Sequence, residues 1–536
     1  MSSSDASRSI RPAAAIGAWA PFAHRIFAMI WTATVVSNIG GWMYSAAAGW
    51  LMITLTHDPL VVSLVQVASS LPVLIFAFPA GALADVVDKR KFLIVAETSI
   101  AVVSTLFAFL VWRNWVGPSS LLLFVFIIGA AGALTAAPWQ AVVPELVPAN
   151  ELAPAVALNS LGVNVSRAVG SALGGVLIAA LGVSAPFWAN GVSNFGVIGT
   201  LLWWRSPHRP ATKLPGERLV SAMRTGFGHA RHNPRLRATF IRATAFFTFA
   251  SAYWALLPLV ARERISGGSE LYGILLGVIG VSAILGALVL RRVRTRLGND
   301  RTVAAGSIGT ALAIVLFGIA RTPLVALIAS LMAGACWVGV LATLNLSVQM
   351  ALPDWVRGRG LAIYIMVFFG SMSAGSALWG ELATLWGLPT THLVAAASML
   401  LAALGTWHWK LQHATAPDLT PARHWPVPQS LSLHTASNGP VMVTVQYQIS
   451  AASRGEFRQA MAHLSHSRRR DGAYAWGLFE DTAQPDRMLE IFFVESWTEH
   501  LRQHERVTKS DAELQEAIRQ LTQGTPVVIH YISATK

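Results

Sequence analysis

From Ala28 to Leu411 the chain is a succession of apolar runs, many of them about 20 residues long and nearly free of charge. A helix of about 20 apolar residues crosses the roughly 30 Å of hydrocarbon in a bilayer. Barrel strands need only about 10 residues each, in strict alternation, and these runs do not alternate. Soluble amphipathic helices would carry a polar stripe at helical spacing, and little of that is present. Composition agrees: 54% of the residues are hydrophobic and 12% charged, at a mean hydropathy of +0.52, against about 25% charged in soluble domains. The chain is therefore read as an integral membrane protein.

The formal charge of +14 does not point to nucleic acid, because Lys and Arg concentrate in the connections between apolar runs. Runs fall at about 28–55, 61–83, 92–112, 120–143, 156–181 and 184–204, then near 238–260, 271–290, 302–320, 323–350, 360–386 and 390–409. Twelve spans put both termini on one side, and the positive-inside rule makes that side cytoplasmic. The basic residues of the connection between spans six and seven, Lys89 to Lys91, and Arg291 to Arg296 all fall on it. The first residues, MSSSDASRSIRP, lack an apolar core and a cleavage site, so no removable signal peptide is expected. The lone Cys336 lies in an apolar run and has no second cysteine to bridge to.

The two halves repeat. Gln140, Pro144, Glu145 and Val147 recur as Gln349, Pro353, Asp354 and Val356; Gly170 to Leu173 and Gly175 recur as Gly375 to Leu378 and Gly380. Gly-Ala-Leu at 81–83 returns at 286–288, so the offset runs from 205 (375 less 170) to 209 (349 less 140). That is about the length of a half-transporter.

The expected organisation is a cytoplasmic tail over 1–27, a six-helix half over 28–204 and a cytoplasmic loop over 205–237. A second half over 238–411, a Pro-, His- and Ser-rich linker over 412–440 and a soluble unit over 441–536 complete it. In the last unit a strand, a helix, two strands flanking Gln484-Pro485-Asp486, a helix and a closing strand follow in the order of a ferredoxin-like split fold. The fold class is thus membrane all-α, a six-plus-six bundle, with an α+β appendage.

The sharpest motif is GALADVVDKRKFL at 81–93, where the second span enters a short loop. Gly81 permits close helix approach, Asp85 can bond a neighbouring helix terminus or an arginine, and Lys89 and Arg90 anchor the loop. Glu97 follows and is read as part of that charge network. The stretch resembles the loop signature of the major facilitator superfamily at Gly81, Leu83, Asp85, Lys89, Arg90 and Leu93, with Val86 and Asp88 departing from it. PWQAVVPELVPANELAPAVALNSLGVNVSRAVGSALGG at 138–175 is similar to the enterobactin-exporter-like branch, the transmembrane secretion effector family. So are PDWVRGRGLAIY and GSALWG in the second half, and segments 468–481 and 494–508 of the tail. The resemblance implies export of siderophores or other hydrophobic small molecules across the bacterial inner membrane, and a proton gradient as the drive. It also implies that the tail belongs with the antibiotic-biosynthesis-monooxygenase-like dimeric barrels, so self-association through it is a partner reading.

Arg167 stands in the otherwise apolar fifth span, where a charge is costly unless it faces the bundle interior or water. Two readings stay open: contact with an acidic or catecholate substrate or gating carboxylate, or a snorkelling residue that braces helices. Gly170, Gly174 and Gly175 form a small-residue packing motif in which Ser171 replaces the proline of related exporters. Asn38, Trp42, Gln66, Asn345, Trp379 and Glu381 complete the candidates for substrate contact or coupling. No carboxylate occupies the middle of the first or fourth span, so the proton path has no assigned carrier.

No P-loop is present, which argues against a nucleotide-driven pump. In the tail, His500 and His504 lie i, i+4 among charged residues and read as a solvated face. No metal-ligand constellation, cofactor fingerprint or catalytic group is expected. The best reading is a secondary transporter working on a small amphipathic molecule within membrane lipid; a membrane-tethered enzyme or sensor is the alternative.

Overall fold

The computed structural model describes residues 17–86, 88–204, 227–228, 230–353, 356–411, 439–507 and 509–533. The basic tail through residue 16, most of the loop after Trp204, nearly all of the linker, and Asp354 lie outside them.

Ten long helices follow the apolar runs. They are α1 Arg25–Leu55, α2 Pro59–Val86, α3 Lys89–Trp112, α4 Pro118–Leu146, α5 Leu152–Leu181 and α6 Ala185–Trp203. Then come α7 Pro234–Leu259, α8 Ser269–Ile319, α9 Pro323–Ala351 and α10 Arg357–Gly405. Nine helical segments of the described residues are long and apolar enough to cross a membrane. Sequence punctuation marks their starts. Proline opens α4, α7 and α9, where its missing N–H would have no intrahelical partner anyway. The Asp88 side chain caps α3 by accepting from the Lys91 N–H at 3.1 Å. Asn233 caps α7 the same way and also donates to the Ala351 carbonyl at 3.1 Å, tying the start of α7 to the end of α9.

Two of the helices are interrupted. Gly298 (φ 76°) breaks α8 and Gly387 (φ 76°) breaks α10, each in a left-handed conformation that side-chain-bearing residues avoid. Gly182, which ends α5, has φ 89° and precedes Gly387 by 205 residues (387 less 182). The half-repeat read from residue identities therefore has a backbone counterpart. The Ser171 variant of the packing motif leaves α5 a continuous helix.

Small residues set how the bundle closes. Along α5, Gly162, Ser166, Gly170 and Gly174 stand four apart and face α1. A Cβ on Gly162 would meet Val35 at 2.8 Å, one on Gly170 the Ile39 carbonyl at 2.6 Å, and one on Gly174 Met43 at 3.1 Å; the Ser166 hydroxyl donates to the Val35 carbonyl at 3.1 Å. A neighbouring stripe meets α8: a Cβ on Gly175 would lie 2.7 Å from Gly273 Cα, and one on Gly280 2.6 Å from Ala168 Cα. Such small-residue faces let backbones approach where lipid supplies no hydrophobic drive.

The tail is a separate core. Strands β1 Val441–Gln448, β2 Ala475–Glu480, β3 Arg487–Val494 and β4 Val527–Ile532 form one antiparallel sheet in the order β2-β3-β1-β4. Helices α11 Arg454–Arg470, α12 Trp497–Arg506 and α13 Lys509–Gln520 accompany it. The single second helix expected from sequence is divided, because Val507 is extended (ψ 124°) and buried. Val443, Phe457, Met461 and Phe492 pack in its interior. Into this interior Arg468 and Glu490 bring a buried ion pair at 3.0 Å, with the Tyr447 hydroxyl and the Trp476 indole N–H both donating to Glu490 at 2.9 Å. The opposite face is open, with Phe479, Ile529 and Tyr531 exposed.

Candidate substrate cavity

A cavity of about 860 Å³ opens inside the bundle. Its wall runs along α1 from Phe27 to Ala48 and along α4 from Val125 to Leu146, so it reaches the end of the bundle that holds Lys89 and Arg90. The other end is drawn together by contacts between the halves. Asp58 accepts from the Thr384 hydroxyl at 3.0 Å, Ser70 and Ser373 bond at 2.8 Å, and Arg262 donates to the Ile53 carbonyl. Trp50 stacks on Tyr272 at 5.9 Å.

The lining is aromatic and amide-rich, with two charged groups, Glu97 and Arg167, both from the first half. Arg167 is carried one turn before Gly170, and the absence of a Cβ at 170 lets α5 press on Ile39 and Trp42 of α1. The guanidinium thereby lies over the Trp42 ring at 5.0 Å, a cation–π contact that strengthens when water is excluded. Its Nε is buried without a hydrogen-bond partner. A buried donor left so costs about 1–3 kcal/mol or more when charged, a cost that an anionic ligand would remove. Glu97 does not join the loop network expected of it. It is buried in the cavity wall, and its carboxylate accepts from the Trp139 indole N–H at 3.0 Å.

Asn38, Trp42 and Gln66 also line the cavity, joined by Asn159, Asn190 and Asn194. Ser37 donates to Asn194 at 3.0 Å and Asn190 to Ser104 at 2.9 Å, so part of the amide wall is held by its own bonds. The second half contributes Trp254, Trp337, Phe368 and Phe369, with Trp254 and Trp337 edge to face at 5.5 Å. Three expected residues lie elsewhere. Trp379 is buried and donates to the Thr248 carbonyl at 2.8 Å, joining α10 to α7. Asn345 accepts from Gln349 one turn on, and Glu381 is exposed. A polar residue in a span is visible in sequence; the face on which it sits is not.

At the Lys89 end, Lys89 pairs with Glu145 at 3.1 Å and Arg90 donates to the Leu201 and Leu202 carbonyls at 2.7 Å each. The loop after α2 is thus fastened to α4 and to the end of α6. Gly81 and Asp85 belong to the last turns of α2, and their side chains lie outside the described residues. Sequence reasoning missed a buried pair in the second half, Arg242 and Asp300 at 2.5 Å. Asp300 also accepts from the Leu411 N–H at 2.9 Å, so α7, the second part of α8 and the chain leaving α10 meet at one carboxylate. In the tail, the reading of His500 and His504 as a solvated face is also corrected. His500 is 1% exposed, and His530 of β4 stands beside both.

A helical bundle joined by small-residue seams around an amphipathic cavity open at one end defines a solute transporter. The chain belongs to the transmembrane secretion effector family, whose pattern it matches over residues 16–536. It is 25% identical to the staphyloferrin A transporter of Staphylococcus aureus (strain NCTC 8325 / PS 47) over 68% of this chain and 90% of that protein. It is 23% identical to the enterobactin exporter EntS of Citrobacter koseri (strain ATCC BAA-895 / CDC 4225-83 / SGSC4696) over 67% and 85%. Among solved structures, the nucleoside transporter NupG matches at a TM-score of 0.57 with 13% identity, over 72% of this chain and 98% of that one. An inward-facing, unoccupied bacterial homologue of the lysosomal transporter Spinster also matches at 0.57, with 12% identity over 73% and 97%. The fold is that of the major facilitator transporters, and the protein is a multi-pass membrane transporter of that type and not an enzyme.

Proposed function

We propose that the protein exports a small anionic, aromatic chelator of the siderophore class across the bacterial inner membrane by alternating access. The observation that carries this reading is the guanidinium of Arg167, half-buried over the Trp42 ring in a cavity that second-half aromatics also line. A cation on an indole, opposite aromatic side chains, suits a ligand that joins an acidic group to flat rings. The volume of about 860 Å³ falls within the range of small-molecule sites. The relatives that transport staphyloferrin A and export enterobactin support a siderophore cargo. Glu97, a carboxylate in the cavity wall, is the group placed to exchange a proton with the open end.

Twelve spans fit this reading. Division at Gly298 and Gly387, with Ala185–Trp203 counted as a span, places six before the middle loop and six after it. Both termini are then cytoplasmic, Asp85 is a gating residue of the cytoplasmic loop, and the cavity opens inward. The test is uptake into inside-out vesicles or proteoliposomes. An imposed pH gradient is expected to drive accumulation of a catecholate or carboxylate siderophore. No accumulation of either class would sink the substrate reading; accumulation untouched by collapse of the gradient would sink the coupling.

The tail is read as a ferredoxin-like domain through which two copies associate, supported by the strand order β2-β3-β1-β4 and the open apolar face bearing Phe479, Ile529 and Tyr531. Ile529→Glu with Tyr531→Glu should convert a dimer in detergent into a monomer while transport per chain persists. Light scattering that finds the unaltered protein monomeric would remove this part.

A further inference from the structure

Outside the cavity, three histidines of the described residues come together in the tail. His500 and His504 occupy successive turns of α12, and β4, paired with β1, carries His530 on the helix side of the sheet opposite Val443. The Nε2 atoms of His500 and His504 are 3.1 Å apart, and nitrogen atoms of all three rings lie within 4.8 Å of one another. Ligands held at about 2.0–2.1 Å from a tetrahedral ion stand roughly 3.3 Å from each other. Two of the three nitrogens therefore already have the spacing of a coordination edge. Rotation of His530, which is only half-buried, closes the third.

We propose that His500, His504 and His530 bind one first-row divalent cation of the zinc type, leaving a fourth position for water or a ligand. Three features support it. The His500 Nδ1 stands 3.4 Å from the Gln503 side-chain oxygen, so an Nδ1–H donates there and the Nε2 lone pair is left facing its neighbour. This is the outer partner that ligating histidines characteristically have. Trp497 packs at 5.5 Å from both the His500 and His530 rings and walls one side of the cluster. The cluster is largely enclosed, with His500 1% exposed and Arg468 the cation that reaches it. The Arg468 charge is itself met by Glu490 at 3.0 Å. Imidazole-only sites of this kind accept zinc, copper, nickel or cobalt, with little use for magnesium or calcium.

The alternative is a histidine cluster held by its own hydrogen bonds, and the two differ in a titration. The full chain, purified in detergent through a tag without histidines and stripped with chelator, is titrated with Co²⁺ and Zn²⁺. One Co²⁺ per chain with the intense visible absorption of a four- or five-coordinate ion is expected, displaced by Zn²⁺, and each metal should raise the melting temperature. His504→Gln and His530→Gln should each weaken binding by at least the ~10–100-fold that loss of an outer partner costs, and abolish the melting shift. Failure of the unaltered chain to bind stoichiometrically overturns the proposal whether or not the variants fold. So does binding retained by both variants, which would place the ion on other histidines. Transport is not part of the readout, so the substrate reading stands or falls separately.

Discussion

Arg167→Gln is expected to lower export of an anionic siderophore by about ten- to hundred-fold, the equivalent of the ~1.5–3 kcal/mol carried by one charged hydrogen bond. Glutamine keeps donors in the cavity but removes the charge that lies over Trp42 at 5.0 Å. Arg167→Lys should restore part of the transport, since a point charge remains while the planar contact with the indole is lost. Membrane abundance should stay within about twofold, because the small residues beside Arg167, and not its guanidinium, hold α5 on α1. The measurement is the initial rate of uptake into inside-out vesicles, normalised to protein on a blot. Equal rates for the glutamine variant and the unaltered protein would mean that the guanidinium braces the bundle and does not meet the substrate.

The largest expected loss of stability comes from Arg242→Met. Arg242 and Asp300 are both nearly inaccessible and 2.5 Å apart, and the Arg242 guanidinium also donates to the Asp300 backbone carbonyl at 3.2 Å. Removing one member of a buried pair costs about 3–5 kcal/mol, because the remaining charge keeps its desolvation cost and loses its counter-ion. The variant should melt well below the unaltered protein in detergent. The double variant Arg242→Met with Asp300→Asn should recover a substantial part, since no ion is then left buried. Double-variant melting no higher than that of the single would show that the stability of this site does not rest on the charges of the pair.

Much of the bundle was legible in the sequence because a bilayer imposes a length and a polarity on every helix. The described helices begin and end within a few residues of the apolar runs. The half-repeat was legible for the same reason: Gly-Ser-Ala-Leu recurs where packing demands small residues, and Gly182 and Gly387 share a backbone conformation that few other residues adopt. The candidate site was legible by half. Asn38, Trp42, Gln66 and Arg167 reach the cavity, whereas Trp379, Asn345 and Glu381 do not, and Glu97, expected in the loop network, lines it instead. Hydropathy along a span carries no phase, so a polar side chain can serve the cavity, a neighbouring carbonyl or the surface. The four-residue stripe from Gly162 to Gly174 did carry phase. With α1 placed against it, Arg167 is left on the flank that faces inward. The reading of His500 and His504 as a solvated face fails because His530 lies on a strand far along the chain, and only the sheet register brings it beside α12.

The seam between the halves differs in kind from the joints within them. The ion pairs described in the bundle, Lys89 with Glu145 and Arg242 with Asp300, each join residues of the same half. Across the seam lie hydroxyl bonds such as Ser70 with Ser373, the backbone contact of Gly175 with Gly273, and Arg262, half-buried, on a carbonyl. Parting such a seam strands no counter-ion in a low-dielectric medium, because each of those pairs travels with its own half. Under the alternating access proposed above, switching breaks and remakes hydrogen bonds and packing contacts, of which those of Asp58 and Arg262 involve one charged group, each worth about 1–3 kcal/mol. A bound solute has enough binding energy to tip a balance set that finely.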